Sequence, residues 1–230
     1  MTWIGHQYRG QIYGMQWGWE VCASAEGSDE EQEQKKSKLM LFSIGDSKIF
    51  MHDPLESKSS VNLEKIITAT NGISRAEQKY SELSFHPDFR VLATGSDDGT
   101  IEILKLPHLQ LLCTVKSQQK LIQNLKWHPS VNASGNDSKY KSWLAVGSNE
   151  TDVHVFDLRK IVDGEEKIPI LTTPTVSLKG HFLRVIMVDW SPHEEGKLAS
   201  VSYDASTQVI NYRSPTITGV GTMSDGRFLF

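Results

Sequence analysis

Cysteine is scarce in this chain: there are two in 230 residues, Cys22 and Cys113. With no Cys-x-x-Cys pair, that excludes a disulfide framework and reads as two reduced thiols of a cytosolic or nuclear protein. An excess of basic charge is also missing. Lys and Arg number 24 against 28 Asp and Glu, a net −4, so nucleic-acid binding, if present, has to come from a local patch. No run approaches the ~20 apolar residues of a membrane helix. The opening Met1-Thr2-Trp3-Ile4-Gly5-His6 lacks the basic-then-apolar order of a secretory signal, so the sequons at Asn132, Asn136 and Asn149 read as chance matches. Gly-x-Ser-x-Gly, P-loop and His-Glu-x-x-His motifs are all absent. The eight histidines are scattered, and His86 and His128 sit in corners where the turn position explains them better than metal ligation does. These absences point away from an enzyme, a cofactor, a metal, a membrane and a small-molecule substrate. What is present, 38% hydrophobic residues, suffices for a core.

The chain repeats itself. Leu83-Ser84-Phe85-His86-Pro87 is followed by Leu92-Ala93-Thr94-Gly95-Ser96-Asp97-Asp98-Gly99-Thr100-Ile101-Glu102-Ile103. Leu125-Lys126-Trp127-His128-Pro129 is followed by Leu144-Ala145-Val146-Gly147-Ser148-Asn149 and Val153-His154-Val155-Phe156-Asp157. Val188-Asp189-Trp190-Ser191-Pro192 is followed by Leu198-Ala199-Ser200-Val201-Ser202-Tyr203-Asp204 and Gln208-Val209-Ile210. A weaker copy runs from Ile12 through Trp17-Gly18 to Leu39–Asp46 and Lys48–Asp53. Each unit reads as strand, corner, strand, tight turn, strand. Proline ends the first strand because it cannot continue a central ladder. The small apolar Leu-Ala-x-Gly-Ser run suits a strand packed on both faces, and Asp98-Gly99 is a hairpin turn. Only Leu63, Ile66 and Ile67 offer a helical turn between units.

The anchor aromatics Trp17, Phe85, Trp127 and Trp190 are spaced by 68, 42 and 63 residues, against ~40–45 for a propeller blade. The excess sits in polar insertions at Glu26–Lys38 and Arg159–Lys179, and a third such loop, Ser130–Ser142, lies inside its unit. The reading is an all-β fold, a partial β-propeller of about four blades at 10–55, 79–115, 120–160 and 178–213. These make one domain, 1–213, followed by a divergent tail at 214–230. All four anchor aromatics are expected to be buried at the corner that ends their first strand, and an isolated chain of this kind is expected to be poorly soluble or oligomeric through its open edges.

These units resemble WD-repeat blades. Gly180-His181, Trp190-Ser191-Pro192 and Ser202-Tyr203-Asp204 match the pattern of a Gly-His start, a Trp/Phe-Ser-Pro corner and a Ser-x-Asp turn. The resemblance implies a buried network of His181, Ser200 and Asp204, without its fourth member because Ile210-Asn211 stands where Trp-Asp would be. The other units keep only Phe156-Asp157 and Leu104-Lys105 there. From Ile12 to about Val209 the chain is similar to the second propeller of the Gemin family that recognises small nuclear RNA in the survival-of-motor-neuron (SMN) complex. The resemblance is carried by Gly99–Ile103, Leu111–Val115, Lys120–Asn124, Gly147–Asn149 and above all Leu178–Asp204. It implies a piece or a shortened relative of a longer protein that has two seven-bladed propellers.

What the family resemblance implies for function is recognition of the Sm site and/or the methylguanosine cap of pre-snRNA for spliceosomal snRNP assembly. The implied partners are snRNA and other SMN-complex proteins, in cytoplasm and nucleus. Two positions match family residues that contact RNA or cap: Arg184, where the family has lysine, and Tyr203. An RNA-stacking tyrosine of the family falls near Ile73-Ser74-Arg75, which has no aromatic. The alternative is a generic WD-repeat scaffold that binds protein partners without RNA. A positive, aromatic-bearing mouth around Arg184 and Tyr203 favours the first reading, and no sign bias there favours the second.

Overall fold

The computed structural model describes residues 12–21, 37–45, 47–55, 60–63, 65–67, 79–116, 120–129, 140–211, 216–224 and 227–229, with the backbone alone at 19–21, 37, 60 and beyond 211. Cys22, Asn132, Asn136 and Ile73–Arg75 lie outside this set. Among the described residues no helix is long and apolar enough to cross a membrane.

Among the described residues four sheets follow one another along the chain, antiparallel except for one edge strand. The first holds β1 (Gly14–Val21), β2 (Ser37–Gly45), β3 (Lys48–His52) and β4 (Ser60–Asn62). The second holds β5 (Tyr80–Phe85), β6 (Val91–Ser96), β7 (Ile101–Lys105) and β8 (Gln110–Val115). The third is built on β9 (Ile122–Trp127), β10 (Trp143–Ser148) and β11 (Val153–Asp157). A helical turn, Arg159–Val162, then leads to β12 (Ile170–Leu171) and β13 (Val176–Leu178). The fourth holds β14 (Val185–Trp190), β15 (Lys197–Ser202), β16 (Ser206–Asn211), β17 (Thr216–Ser224) and β18 (Arg227–Leu229). This is the all-β, partial-propeller architecture expected from the repeats. Leu63 and Lys65–Ile67 are helical, as the short apolar pattern there suggests.

The Arg159–Lys179 insertion is more than a polar loop. Its β13 is the outer strand of the third sheet, while β12 reaches back and pairs in parallel with β8 of the second. There Thr114 and Lys116 donate to the carbonyls of Pro169 and Leu171. Residues 216–222, set apart on sequence as tail, run antiparallel to β16 from Asn211↔Thr216 to Ser206↔Thr222.

The sheets stack through their inner strands, and one relation repeats. Each anchor aromatic lies across from a leucine on the next strand: Trp17↔Leu41, Phe85↔Leu92, Trp127↔Leu144 and Trp190↔Leu198. The Trp127 indole N–H donates to the Ser84 carbonyl of the preceding blade at 3.1 Å, and the Trp190 indole donates to the Lys126 carbonyl at 2.8 Å. In both cases the acceptor is the residue just before the preceding blade's own aromatic. The Phe85 ring has no N–H to give. It packs edge-on against Phe42 with ring centroids 4.6 Å apart, and its backbone N–H donates to the Gln16 side chain.

Trp17 departs from the expectation of burial: it is 52% exposed, while Phe85, Trp127 and Trp190 are buried. It stands in the same register, on the face of blade one that points away from blade two, and no described blade covers that face. Its strand also continues to Val21 and has no proline corner.

At two of the blade contacts the close stacking needs a glycine on the second strand. A Cβ at Gly95 would come within 2.6 Å of Ile122 Cγ2 of blade three, and one at Gly147 within 3.2 Å of Val185 of blade four. The Asp98-Gly99 turn is formed as expected, with Gly99 at φ 86° and Asp98 accepting from the Thr100 N–H and hydroxyl. Cys113 is buried and free, and burial pushes its thiol pKa up to about 11.

Candidate functional site

The turns between the second and third strands share one mouth of the partial ring with the loops that lead into the inner strands. A backbone bond repeats there in three blades. Asp97 N–H donates to the Lys79 carbonyl, Asn149 N–H to that of Leu121, and Tyr203 N–H to that of Arg184, at 2.9, 2.9 and 3.1 Å. Arg184 and Tyr203 are therefore the fourth blade's version of a general juxtaposition.

At this blade the side chains also meet. The Arg184 guanidinium carbon lies 3.8 Å from the centroid of the Tyr203 ring. Both residues are exposed, Tyr203 at 57%. A cation held over a tyrosine face at this distance gains quadrupole attraction, and the pair presents two stacked planar groups to solvent.

A buried network beneath fixes the pair. His181 Nε2 bonds to the Ser200 hydroxyl at 2.8 Å, and its Nδ1 meets the Ser206 hydroxyl at 2.9 Å and Asp204 Oδ2 at 3.2 Å. Asp204 also accepts from the Phe182 N–H at 2.8 Å and from the Ser206 N–H at 2.8 Å, while the Ser202 hydroxyl donates to the Leu183 carbonyl. Burial disfavours the Asp204 charge, but the Ser206 hydroxyl, the two backbone N–H groups and the nearby His181 outweigh it and hold the carboxyl well below the usual range. The loop 179–184 is thereby tied to the turn 203–205, which sets Arg184 over Tyr203. Ala205 completes this turn at φ 62°, a conformation that favours glycine.

The structure thus brings together His181, Ser200 and Asp204, the three network members expected from sequence, and the two binding candidates, Arg184 and Tyr203. Two further residues were not legible. Ser206 joins the network, and its sequence signal was the Asp-x-Ser spacing that lets a carboxylate cap the backbone two residues on. Phe182 stands 87% exposed beside Arg184, and only its apolar character within a polar loop marked it.

Charges of both signs surround the mouth. Lys79, Lys120, Lys179 and Arg184 are exposed, as are Asp97 and Asp98, with Glu150 and Asp152 half-buried nearby. Among the described residues there is no uniform basic field. A second His-centred cluster joins blades two and three, with His86 Nδ1 on Asp88, His86 Nε2 on the Ser142 hydroxyl at 2.9 Å, and Arg90 bridging Asp88 to Asp163. Both clusters have the Ser–His–Asp order of a hydrolytic triad. Ser142 and Ser200 are nevertheless sealed from solvent, so here the order serves as a clamp between loops. His128 stacks edge-on against Trp190. Among the described residues no group of three or more His, Cys, Asp or Glu could hold a metal ion.

The comparisons with known proteins agree with this architecture. Residues 34–130 match the family model of the anaphase-promoting complex subunit 4 WD40 domain. Gem-associated protein 5 of Homo sapiens is 31% identical over 86% of this chain, and that of Mus musculus 32% identical over the same share. The component of gems protein 5 from Dictyostelium discoideum is 27% identical over 58% of it. The chain spans 13% of the length of the human and mouse relatives. Among solved structures, a chain from the crystal structure of the mitotic checkpoint complex superposes with a TM-score of 0.61 at 18% identity. That match covers 81% of this chain and 47% of the other, and it bears on the fold alone. With its blade registers, its His–Ser–Asp clamp and these relatives, the chain is a WD-repeat β-propeller protein similar over most of its length to Gem-associated protein 5.

Proposed function

We propose that the chain is an RNA-binding module of the SMN complex that takes the Sm site and/or the methylguanosine cap of pre-snRNA at the mouth containing Arg184 and Tyr203. One observation carries this reading: a guanidinium is stacked 3.8 Å over an exposed tyrosine ring, on loops locked by a buried carboxylate. A base extends such a stack by lying on the outer face of the guanidinium or on the ring itself, and bases in single-stranded RNA are bound in both ways. A methylated guanine is cationic and gains further from the aromatic face. The mixed charge among the described residues of the mouth counts toward the scaffold reading, so the RNA reading rests on the guanidinium–tyrosine stack.

The test is binding of a labelled uridine-rich Sm-site oligonucleotide, and separately of a cap analogue, to the parent chain and to Tyr203→Ala. Loss of one stacked base costs ~1–3 kcal/mol, or roughly 5- to 150-fold in affinity. Arg184→Ala loses more affinity at low salt than at high salt, because an exposed cation is screened. A folded Tyr203→Ala that binds both ligands as well as the parent does overturns the assignment.

A scaffold that binds protein at the same mouth is the second reading, favoured by the 87% exposure of Phe182 next to the half-exposed Leu183. Apolar anchors of this kind suit a protein partner. Under that reading Phe182→Ala abolishes capture of the partner, and RNA binding is absent in the parent.

A further inference from the structure

We infer that Phe182 is a second base-stacking surface, so that the mouth takes two consecutive bases of single-stranded RNA, one on the Arg184–Tyr203 pair and the next on the Phe182 ring. This rests on the RNA reading above and adds to it a residue and a number of bases.

Phe182 does not serve the core. It is 87% exposed, while His181 before it and Val185 after it are buried. Its backbone is nevertheless held on both sides. The Phe182 N–H donates to the Asp204 carboxylate at 2.8 Å, and the carbonyl of the next residue, Leu183, accepts from the Ser202 hydroxyl at 3.0 Å. The far end of the loop is pinned to blade three, where the Val185 N–H donates to the Glu150 carbonyl at 3.0 Å. Residues 179–184 thus bridge two described blades at the mouth, leading from β13 to β14. An exposed ring on a backbone fixed in this way loses little freedom when a flat group is laid on it.

The surroundings of the ring suit a nucleotide. The segment reads Lys179-Gly180-His181-Phe182-Leu183-Arg184, with Lys179 and Arg184 exposed and no carboxylate in it. Single-strand binding uses this combination, in which an aromatic face takes the base and nearby cations take the phosphates. Phe182 and Arg184 are two residues apart, so their Cα atoms lie at most ~7 Å from each other, a reach comparable to one nucleotide step along a strand. Two planar surfaces at that separation match successive unstacked bases.

Binding of a labelled uridine-rich Sm-site oligonucleotide to the full chain, with methylguanosine monophosphate as an unlabelled competitor, tests this. Phe182→Ala keeps the parent's circular dichroism and weakens the oligonucleotide by about 5- to 150-fold, the effect of one lost stacked base. The single nucleotide, which fills only the Arg184–Tyr203 surface, competes as well as it does against the parent. The salt dependence of oligonucleotide binding is unchanged in Phe182→Ala, because no charge is removed. Phe182→Leu keeps apolar bulk without a flat face and binds as poorly as Phe182→Ala, whereas Phe182→Trp binds at least as well as the parent. Parent-like oligonucleotide binding by Phe182→Ala, while Tyr203→Ala is weakened, overturns the inference and leaves the RNA reading in place. A parent that binds neither ligand overturns both. Parent-like binding by Phe182→Leu overturns base stacking in favour of a plain apolar anchor, and loss of the single nucleotide in Phe182→Ala overturns the two-base arrangement in favour of one base clamped by both surfaces.

Discussion

The backbone N–H of Phe182 donates to the Asp204 carboxylate at 2.8 Å, and this bond ties the loop that carries Arg184 to the turn that carries Tyr203. The same carboxylate meets His181 and caps Ser206. One largely buried carboxylate therefore links the two loops that carry the exposed groups of the candidate site.

Asp204→Ala is expected to cost about 2–3 kcal/mol of stability, because hydrogen bonds to a charged group are the strong ones and the buried His181 would lose its carboxylate partner. Urea denaturation at fixed protein concentration measures it. The same variant frees Arg184 from its place over Tyr203, so any ligand of that pair loses affinity even under conditions where the chain stays folded. A change under about 0.5 kcal/mol, the size of an ordinary surface substitution, would show that the network is not what fixes the loop.

Much of this was legible in the sequence, for a physical reason. Phe85, Trp127 and Trp190 each stand two residues before a corner proline or its equivalent, and each faces a leucine on the following strand, so local pattern and packing agree. His181, Ser200 and Asp204 belong to one blade and keep the spacing of a family network. Trp17 shares the register but not the neighbour, and burial depends on the neighbour rather than on the strand pattern. The parallel pairing of β12 with β8 links Ile170 to Thr114, across the whole of the third blade's inner strands. No local period announces such a contact. The Arg184–Tyr203 stack lay between: the resemblance marked each residue, but only the fold brought the guanidinium over the ring.

Glu82 lies on the inner strand β5, and burial raises its carboxyl to about 7 although the Leu83 backbone and Lys126 work the other way. A raised folded-state value means that the folded chain binds the proton more tightly than the unfolded one. The stabilisation is therefore full below pH ~4.5 and is lost as pH rises through about 7, an effect of order 3 kcal/mol. His52, His128 and His154, all held neutral by burial, tilt stability the other way as pH falls through the ordinary histidine range. The difference between parent and Glu82→Gln isolates the carboxyl. The amide introduced by that substitution has no charge to desolvate, so the variant's advantage over the parent should grow from about pH 5 to about pH 8. Parallel stability curves for the two proteins would exclude the shift.

Close approach of neighbouring blades makes the last prediction. A Cβ on Gly95 would lie 2.6 Å from Ile122 Cγ2 and 2.8 Å from Ile122 Cβ, distances that require the inner strand of blade three to move. Gly95→Ala is expected to cost about 1–3 kcal/mol, the usual range for overpacking a close-packed interior. Ile122→Ala removes a fully buried side chain and costs about 2–5 kcal/mol on its own. If the two residues meet as the blade contact requires, the losses are not additive. The double variant is less destabilised than the two single losses summed, by roughly 0.5–3 kcal/mol, because taking away Cγ2 makes room for part of the new methyl group. Rescue stays incomplete, since Ile122 Cβ remains close. A thermal or urea cycle on the four proteins gives the coupling directly. Strict additivity would mean that blades two and three do not touch at this pair, and the inner-strand stacking that sets the whole array would have to be redrawn.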